Sequence, residues 1–326
     1  MPSTKSPSEL QIVDAVSTTI ARQFKPSGFI YDLLAPRIPV DVDAGKYPTF
    51  TRFFDDEVES KVSDRAQTPE IDFDWSTDSY LCEPYRLKVS ISAKEKGQVH
   101  PALHLEQSKI TRLMTSMAIR RERRLAAILR KTTNSGALNL GAGVSNKWNV
   151  DAATIEADIK TAKTGIYTAS GMVPNTIVIP YLVATEIAVQ QDIREILKYT
   201  VDGQKILIEG ETILPAKLWG LDVIVPTGVV RNSAKEGATV SLAEIWSDNV
   251  IVCYRDRNPG WGIPSVAYSF EADPGYGFSP QGEGENRAVV DRWTENDPPV
   301  EYIRAWESLD EKVCAPDLGY EITDVL

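Results

Sequence analysis

One uninterrupted run of helix-forming sequence, residues 102–132, constrains the fold more than any other part of the chain. Pro101 comes directly before it, where proline is tolerated at a helix start, and Asn134-Ser135-Gly136 follows as a stop signal. Its apolar residues recur at helical spacing: Ile110, Leu113, Met114, Met117, Leu125, Ile128 and Leu129. At 1.5 Å per residue, the run predicts a helix of roughly 45 Å, which other elements must cover.

Charge is distributed in blocks along the chain, which has 326 residues and a formal net charge of -11. Residues 41–85 hold twelve acids and four bases, residues 94–131 three acids and ten bases, and residues 271–326 fourteen acids and four bases. Such blocks predict segments that meet electrostatically, within one chain or between copies. The negative total disfavours a freely diffusing DNA-binding protein and a membrane-surface protein, because both use a basic face.

The remaining sequence divides into segments by pattern, and the length is sufficient for two cores. An N-terminal stretch predicts a short amphipathic helix with the stripe Leu10, Val13, Val16 and Ile20. Strand-like runs flank a polar, Asp-rich excursion between residues 38 and 93, which predicts a long two-stranded loop. Residues 176–180 predict a buried strand and 181–199 helix. We expect the arm, the loop and the acidic C-terminal sequence to gain order by lying on other subunits.

Neither a membrane span nor a secretory signal is predicted. No apolar stretch approaches the roughly 20 residues that cross a bilayer, and the first twenty residues lack a charged segment followed by an apolar one. The three cysteines, Cys82, Cys253 and Cys314, have no metal-binding or redox spacing. They predict free thiols in a reducing cytoplasm.

The candidate chemical residues have simpler structural interpretations. His100 and His104 have a spacing that could hold zinc, but the motif lacks its glutamate, and two polar residues at a helix start are favoured. Gly141-Ala142-Gly143 begins like a dinucleotide-binding loop, but Asn146 replaces the third glycine, so a flexible loop is favoured. Cys253 lies in an apolar strand and is predicted to be core. No catalytic residue, metal or cofactor is therefore predicted.

Four arginines crowd around Glu122 on the long helix. Their predicted partner is the acidic loop of a neighbouring copy; packaged DNA and plain solvent are the alternatives. The predicted subunit-interface residues are Arg120, Arg121, Arg123, Arg124, Asp55, Asp56, Glu57, Glu59, Asp72 and Asp74. Reversing all four arginines to Glu is therefore predicted to impair assembly and to leave the subunit foldable.

The order of several segments resembles the Hong Kong 97-type fold of tailed-phage major capsid proteins. The segments that carry the resemblance are Leu33-Leu34-Ala35-Pro36-Arg37-Ile38-Pro39-Val40, Gly45-Lys46-Tyr47-Pro48-Thr49-Phe50, the long basic helix, Gly171-Met172-Val173-Pro174-Asn175-Thr176-Ile177-Val178-Ile179, Ile196-Leu197-Lys198-Tyr199, Leu218-Trp219-Gly220-Leu221-Asp222-Val223 and Ile245-Trp246-Ser247-Asp248-Asn249-Val250. Together they cover most of residues 30–326 in collinear order.

The resemblance implies an α+β fold with an N-terminal arm, an extended β-hairpin loop, a peripheral domain with a long spine helix, and an axial domain. The implied segments are the arm at 1–37, the extended loop at 38–95, the peripheral domain with the spine helix at 96–175, the axial domain at 176–256, and a return to the peripheral domain with C-terminal strands at 257–326.

The implied function is structural: hexamers and pentamers that form an icosahedral capsid around double-stranded DNA, assembled in the host cytoplasm and located in the virion. Scaffolding, portal and decoration proteins would be separate chains, since no long scaffold region precedes the arm. Lys61 is the best-placed lysine for the covalent cross-link of some relatives, although a solvated loop lysine is the simpler interpretation. An encapsulin-like compartment shell, another phage structural protein and a soluble hydrolase are the alternatives.

Overall fold

The computed structural model describes residues 12–23, 27–50, 61–62, 67–68, 76–98, 104–130, 138–150, 154–190, 193–194, 214–231, 241–273, 288–297 and 299–326. The helices are α1 (Ala15–Gln23), α2 (Tyr31–Leu34), α3 (Ala93–Gln98), α4 (Leu105–Ile128), α5 (Ile155–Ser170) and α6 (Tyr181–Val189), with a short 3-10 helix at Pro316–Leu318. The strands are β1 (Ile12–Val13), β2 (Arg37–Val40), β3 (Ala44–Thr49), β4 (Ser76–Leu81), β5 (Glu83–Ser92), β6 (Leu140–Gly143), β7 (Thr176–Val178), β8 (Lys217–Leu218), β9 (Leu221–Ile224), β10 (Val229–Arg231), β11 (Leu242–Glu244), β12 (Val250–Cys253), β13 (Ala267–Ala272), β14 (Val289–Asn296), β15 (Pro299–Val313) and β16 (Gly319–Thr323).

The predicted long helix is confirmed as α4, which has 24 residues. The apolar residues that repeat at helical spacing form its buried face, with Ile110, Met117 and Leu125 at most 4% exposed. The helix begins after His104, whose φ of 41° lies in the left-handed region. That conformation turns the chain sharply into the helix and fixes where the helix starts.

Sheet 1 is built around the fifteen-residue strand β15. Its order is β1-β14-β15-β13-β2, and β5 pairs with β15 on the other side. Side chains alternate between the two faces of a strand. On the inner face, Ile91, Val290 and Ile303 pack with the buried residues of α4 and with Ala21 of α1.

The outer face of sheet 1 carries the hairpin of β3 and β4, which pair antiparallel from Ala44 opposite Leu81 to Thr49 opposite Ser76. Tyr80 stacks on Phe270 of β13 at 4.8 Å between ring centroids. Gly45 allows this packing, because a Cβ there would lie 2.6 Å from the Tyr80 hydroxyl. The base of the predicted two-stranded loop is thus confirmed, and most of its tip, residues 51–60, 63–66 and 69–75, lies outside the described residues.

Sheet 2 has the order β6-β16-β12-β7-β9-β8. Its core is apolar and includes Ile159 and Ile166 of α5, Ile177 of β7 and Val252 of β12, all at most 1% exposed. The strand expected at residues 176–180 is confirmed as β7. The helical stretches expected over 181–199 are confirmed in part. Helix α6 ends at Val189, Ile193 and Arg194 are again helical, and residues 191–192 and 195–199 lie outside the described part of the chain.

A third apolar cluster joins the two sheets. It contains Leu34 of α2 and Leu125 of α4 from the sheet 1 side, and Val178 and Ile251 from sheet 2. Strands of sheet 2 come from three of the five predicted segments, since β6, β7 and β16 are far apart in sequence. The predicted segment boundaries remain a prediction.

Three expectations about local structure need correction. The arm helix was expected to present Val16, but Val16 is 71% exposed, and Ser17, Thr18 and Ala21 are buried instead. The hydroxyl of Thr18 donates a hydrogen bond to the carbonyl oxygen of Val290 at 3.2 Å and accepts one from the backbone N–H of Val290 at 3.1 Å. The arm therefore lies on its own subunit.

The second correction concerns Gly141-Ala142-Gly143, which was expected to be a flexible loop. These residues belong to β6, which pairs in parallel with β16 from Leu140 opposite Tyr320 to Gly143 opposite Thr323. The partner strand is about 180 residues away in sequence, so no local pattern announces the pairing.

The third correction concerns the acidic C-terminal sequence, which was expected to have little to bury alone. It supplies β14, β15 and β16, and the side chains of Ile303, Ala305 and Leu309 are completely buried. Three of its acids pair with bases elsewhere in the same chain: Glu271 with Arg37, Glu301 with Lys96 and Glu311 with Arg124. Such pairing lets an acidic sequence form the centre of a subunit.

Candidate subunit interface

The four arginines that flank Glu122 on α4 point in different directions. Residues one position apart on a helix are separated by about 100°, so a run of four cannot share one face. Arg120 and Arg123 are exposed. The side chain of Arg121 is 1% exposed and that of Arg124 25% exposed. The interface role predicted for the four therefore narrows to Arg120 and Arg123, where it stays a prediction.

Arg124 is held by the sheet beneath it. Its guanidinium donates two hydrogen bonds to the carboxylate of Glu311 on β15, at 2.9 and 2.7 Å. Its central carbon lies 3.7 Å from the ring centroid of Tyr85 on β5. A two-pronged bond between Arg and a carboxylate is among the stronger and more directional contacts in proteins. Arg124 therefore fixes α4 to two strands of sheet 1.

Arg121 lies deeper, between the arm and the sheet. Its Nη1 is 3.1 Å from Oδ1 of Asp32, its Nε is 3.7 Å from Oε1 of Glu311, and its guanidinium lies over the ring of Tyr31 at 4.5 Å. Among the described residues, no acceptor meets its three guanidinium nitrogens with hydrogen-bonding geometry. The attraction is thus ionic and cation–π, and Arg121 is not available to a neighbouring copy.

Arg37 of β2 completes the same network. It donates to Oε1 of Glu271 at 2.7 Å and to Oδ1 of Asp32 at 3.0 Å. We call the whole set the buried ion cluster; its members are Asp32, Arg37, Arg121, Arg124, Glu271, Glu307 and Glu311. Asp32 lies at the edge of the cluster, and its side chain is 53% exposed. The cluster joins α2, α4, β2, β13 and β15 on the inner face of sheet 1.

The buried ion cluster contains three arginines and four carboxyl groups. Glu307 is the carboxyl that forms none of the ion pairs described above, and its side chain is almost completely buried. Burial raises the pKa of Glu307, although Arg37 and Arg121 oppose this by attraction. A proton on Glu307 would leave three cations facing three anions.

Glu122 is the other buried acid of α4, and it is 0% exposed. Its carboxylate accepts the N–H of Tyr31 at 2.9 Å, the N–H of Ile30 at 3.1 Å and the indole N–H of Trp246 at 2.6 Å. Burial raises the pKa of Glu122 to about 7, and these three donors and Arg121 act in the opposite direction. One side chain thereby ties α4 to the arm and to the loop before β12.

The acidic half of the predicted interface, Asp55, Asp56, Glu57, Glu59, Asp72 and Asp74, lies outside the described residues. The strands on either side of this sequence, β3 and β4, are described. The hairpin packs on the outer face, where the N–H of Leu81 donates to Asp310 at 2.8 Å, whereas α4 covers the inner face.

The outer face of sheet 1 also holds cations that the sequence-based prediction did not single out. Lys88 lies 4.5 Å from the ring centroid of Tyr302, and Arg86 lies 4.8 Å from that of Trp306. We call this surface the cation-aromatic face; its residues are Arg86, Lys88, Trp293, Tyr302, Arg304 and Trp306. A signal was present in the sequence, since Arg86 and Lys88 alternate with Leu87, Val89 and Ile91.

Among the described residues, the other candidate chemical side chains form no assembled site. His104 is exposed at the start of α4, and His100 lies outside the described residues. The thiols of Cys82, Cys253 and Cys314 are buried, and burial raises the pKa of each to about 12. Within the described ranges, no group of three or more His, Cys, Asp or Glu is placed to hold a metal ion, and no helix has the length and apolar character needed to cross a bilayer.

Comparison with known proteins gives consistent matches over the full length. The sequence is 24% identical over 329 residues to the major capsid protein of Burkholderia phage BcepMu, and the match spans 98% of both chains. The fold matches a phage-related protein from Bordetella bronchiseptica RB50 with a TM-score of 0.68 and 22% identity, over 97% of this chain and 99% of that one. No protein-family model matches the sequence.

A capsid structure is also among the matches. The subunit of the cyanophage P-SCSP1u capsid has a TM-score of 0.59 and 11% identity, with 92% of this chain and 89% of that chain covered. The chain therefore has the α+β fold of phage capsid subunits. More particularly, these matches confirm the resemblance to tailed-phage major capsid proteins that the order of the sequence segments indicated.

Proposed function

We propose that this chain is a major capsid protein, the repeating structural subunit of a phage-type shell. The observation that carries the proposal is the end-to-end match to the BcepMu major capsid protein, which leaves only 2% of either chain uncovered. Because the match spans nearly all of both chains, the proposed role is that of the whole relative and not of one domain of it. The capsid fold of the chain supports the same role.

The role is structural rather than catalytic. Buried thiols with a raised pKa are poor nucleophiles, because the thiolate is the reactive form. The acids Glu122 and Glu307, whose pKa burial raises, are enclosed by packed elements. Both observations fit a protein whose charged groups hold elements together.

In the proposed assembly, copies form hexamers and pentamers of an icosahedral shell around double-stranded DNA. The shell is part of the virion and is assembled in the host cytoplasm, with scaffolding, portal and decoration functions supplied by other proteins. Arg120 and Arg123, together with the acids of the loop, remain the proposed contacts between copies. Reversal of all four arginines is a poor test, since Arg121 and Arg124 belong to the buried ion cluster.

Electron microscopy of the purified protein with light scattering on the same sample tests the proposal. Closed shells or rings of capsomer size are expected, and nuclease-protected DNA in shells purified from infected or induced cells would identify the enclosed material. A monodisperse monomer or dimer that does not assemble at high concentration, even with a co-expressed scaffolding protein, would contradict the proposal.

A further inference from the structure

Residues 28–33 of the arm, which we call the strap, connect sheet 2 to sheet 1. The strap leads directly into β2, the edge strand of sheet 1. The carbonyl oxygen of Gly28 accepts the N–H of Thr227, in the loop after β9 of sheet 2, at 3.0 Å. Nη1 of Arg255, just after β12 of the same sheet, donates to the carbonyl oxygen of Leu33 at 3.1 Å. Both ends of the strap are therefore bonded to segments that follow strands of sheet 2.

The middle of the strap is bonded to helix α4, which packs on sheet 1. The carboxyl group of Glu122 accepts the N–H of Ile30 and the N–H of Tyr31, and it also accepts the indole N–H of Trp246 in the loop before β12. The side chains of Glu122 and Trp246 are almost completely buried, so bulk water does not compete for these hydrogen bonds. A single carboxyl group is thus shared by the strap, by the long helix and by the segment that leads into sheet 2.

The other contacts between the sheets restrict their relative orientation less than the strap does. The cluster between them, which includes Leu125 of α4 and Ile251 of β12, is apolar, and the burial of apolar surface is non-directional. The chain also passes between the sheets from β12 to β13 and from β15 to β16, and such connections can act as hinges. The directional hydrogen bonds of the strap oppose rotation about these hinges.

Two glycines allow the strap to approach the loop after β9 closely. Gly28 has a φ of 87°, in the left-handed region, and a Cβ there would overlap Oγ1 of Thr227 and lie 3.4 Å from its Cβ. Only glycine adopts this conformation without strain. On the other side of the contact, a Cβ at Gly228 would lie 3.2 Å from the ring of Phe29. One methyl group added at Gly28 would therefore push the strap away from the loop.

We propose that the strap sets the angle between sheet 1 and sheet 2, and that this angle selects the curvature of the shell. The inference rests on the proposed function, since curvature is a property of an assembly. Copies related by rotation form a closed assembly only when the rotation between neighbours has the right value. A change of angle within the subunit is repeated in every copy, so a small change produces open particles or particles of another size.

Matched glycine variants test the proposal. Gly28→Ala combines backbone strain with the overlap against Thr227 and should cause a severalfold loss of closed shells of the parent diameter, measured by electron microscopy and light scattering, in favour of open or differently sized particles. Gly262→Ala carries the strain alone, because Gly262 has a φ of 78° and no described atom lies within 4 Å of the added Cβ. Gly28→Ala with Thr227→Ala removes the overlap with Oγ1. Both of these variants should keep the parent diameter.

A disulfide that closes the strap gives the second measurement. An added Cβ at Gly28 lies 3.4 Å from Cβ of Thr227, close to the spacing of about 3.5–4.5 Å in natural disulfides, so Gly28→Cys with Thr227→Cys can form the bond. The natural thiols are buried and give little background. Assembly of the oxidised variant is expected to give shells of the parent diameter, and assembly after reduction is expected to give the mixture seen with Gly28→Ala.

The contrary outcomes are distinct from one another. Shells of the parent diameter from folded Gly28→Ala, or equal losses in Gly28→Ala and Gly262→Ala, would overturn the inference and leave the proposed function intact. A folded, oxidised disulfide variant that forms no shells would also overturn the inference, because the strap would then have to open during assembly. If Gly28→Ala does not fold, the oxidised and reduced forms of the disulfide variant decide. Absence of shells from the unmodified protein under every assembly condition would overturn the proposed function itself.

Discussion

The interiors of the two sheets are built on different principles. Sheet 2 buries isoleucine and valine against α5 and α6, with Ile159, Ile166 and Val252 as examples. Sheet 1 is also apolar near the start of α4, but toward the end of that helix it buries the ion cluster around Arg121. Buried ion pairs contribute little net stability, whereas removing one partner of a pair is costly. The apolar core of sheet 2 therefore contributes most to the folding stability of the subunit. The ion cluster on the inner face of sheet 1 instead fixes how the arm, helix α4 and the sheet are arranged.

The largest effect is expected for Arg121→Ala. The change leaves the buried carboxyls Glu307 and Glu311 with fewer positive neighbours, at a cost of about 3–5 kcal/mol. Urea unfolding of the unassembled subunit measures it, and Arg123→Ala, two positions along the helix and exposed, should shift stability by no more than about 0.5 kcal/mol. If Arg121→Ala and Arg123→Ala reduced the free energy of unfolding equally, the ion cluster could not be the feature that distinguishes the interior of sheet 1 from that of sheet 2.

The second prediction concerns the apolar side of the comparison. Ile166→Ala in α5 creates a cavity in the core of sheet 2 and should cost about 2–5 kcal/mol, whereas Ile166→Val should cost about 0.5–1.5 kcal/mol. The same unfolding measurement applies. A cost for the alanine variant no larger than that of the valine variant would mean that this core is loosely packed, contrary to its complete burial.

The third prediction is a pH dependence at Glu122. Its pKa in the folded subunit is about 7, above the ordinary value of about 4.3, so the folded state binds this proton more readily than the unfolded state. The contribution of Glu122 to stability therefore decreases as pH rises from about 4.3 to about 7, by about 4 kcal/mol in all, and is constant above that range. Unfolding at a series of pH values should show this slope reduced in Glu122→Gln and retained in the exposed control Glu156→Gln. Identical slopes in both variants would refute the assignment.

The smallest effect is expected for Glu307→Gln. If the buried ion cluster is neutral because Glu307 holds a proton, a neutral amide of similar shape should change stability at neutral pH by less than about 1 kcal/mol. Glu311→Gln, which breaks the two-pronged bond to Arg124, should cost about 1.5–3 kcal/mol. A larger loss for Glu307→Gln than for Glu311→Gln would show that Glu307 is ionised in the folded subunit.

Sequence patterns were sufficient for elements whose partners are local. The apolar periodicity of α4 and the apolar run of β7 were recognised, because each depends on spacing within one segment. The position of Arg121 could also have been deduced. It lies four residues after Met117 and four before Leu125, and therefore on the buried stripe, but it was grouped with its neighbours by charge.

Other features could not be deduced because they depend on distant residues. β6 consists of Leu140, Ala142 and two glycines, a composition that predicts a loop, and it becomes a strand only because β16 provides a partner. The arm illustrates the same limit. Its polar residues Ser17 and Thr18 are buried because the backbone of β14 satisfies Thr18 and because Asp14 accepts from Ser17 at 2.5 Å.

The three thiols of the subunit have a practical consequence. Cys82 and Cys314 lie beneath the hairpin on the outer face of sheet 1, and Cys253 lies in β12 of sheet 2. Since all three are buried and protonated at neutral pH, a thiol reagent reacts only when the structure over them opens. The labelling rate of Cys82 and Cys314 therefore reports how often the hairpin opens, and the labelling rate of Cys253 reports how often sheet 2 opens. Both rates can be measured in free subunits and in closed particles.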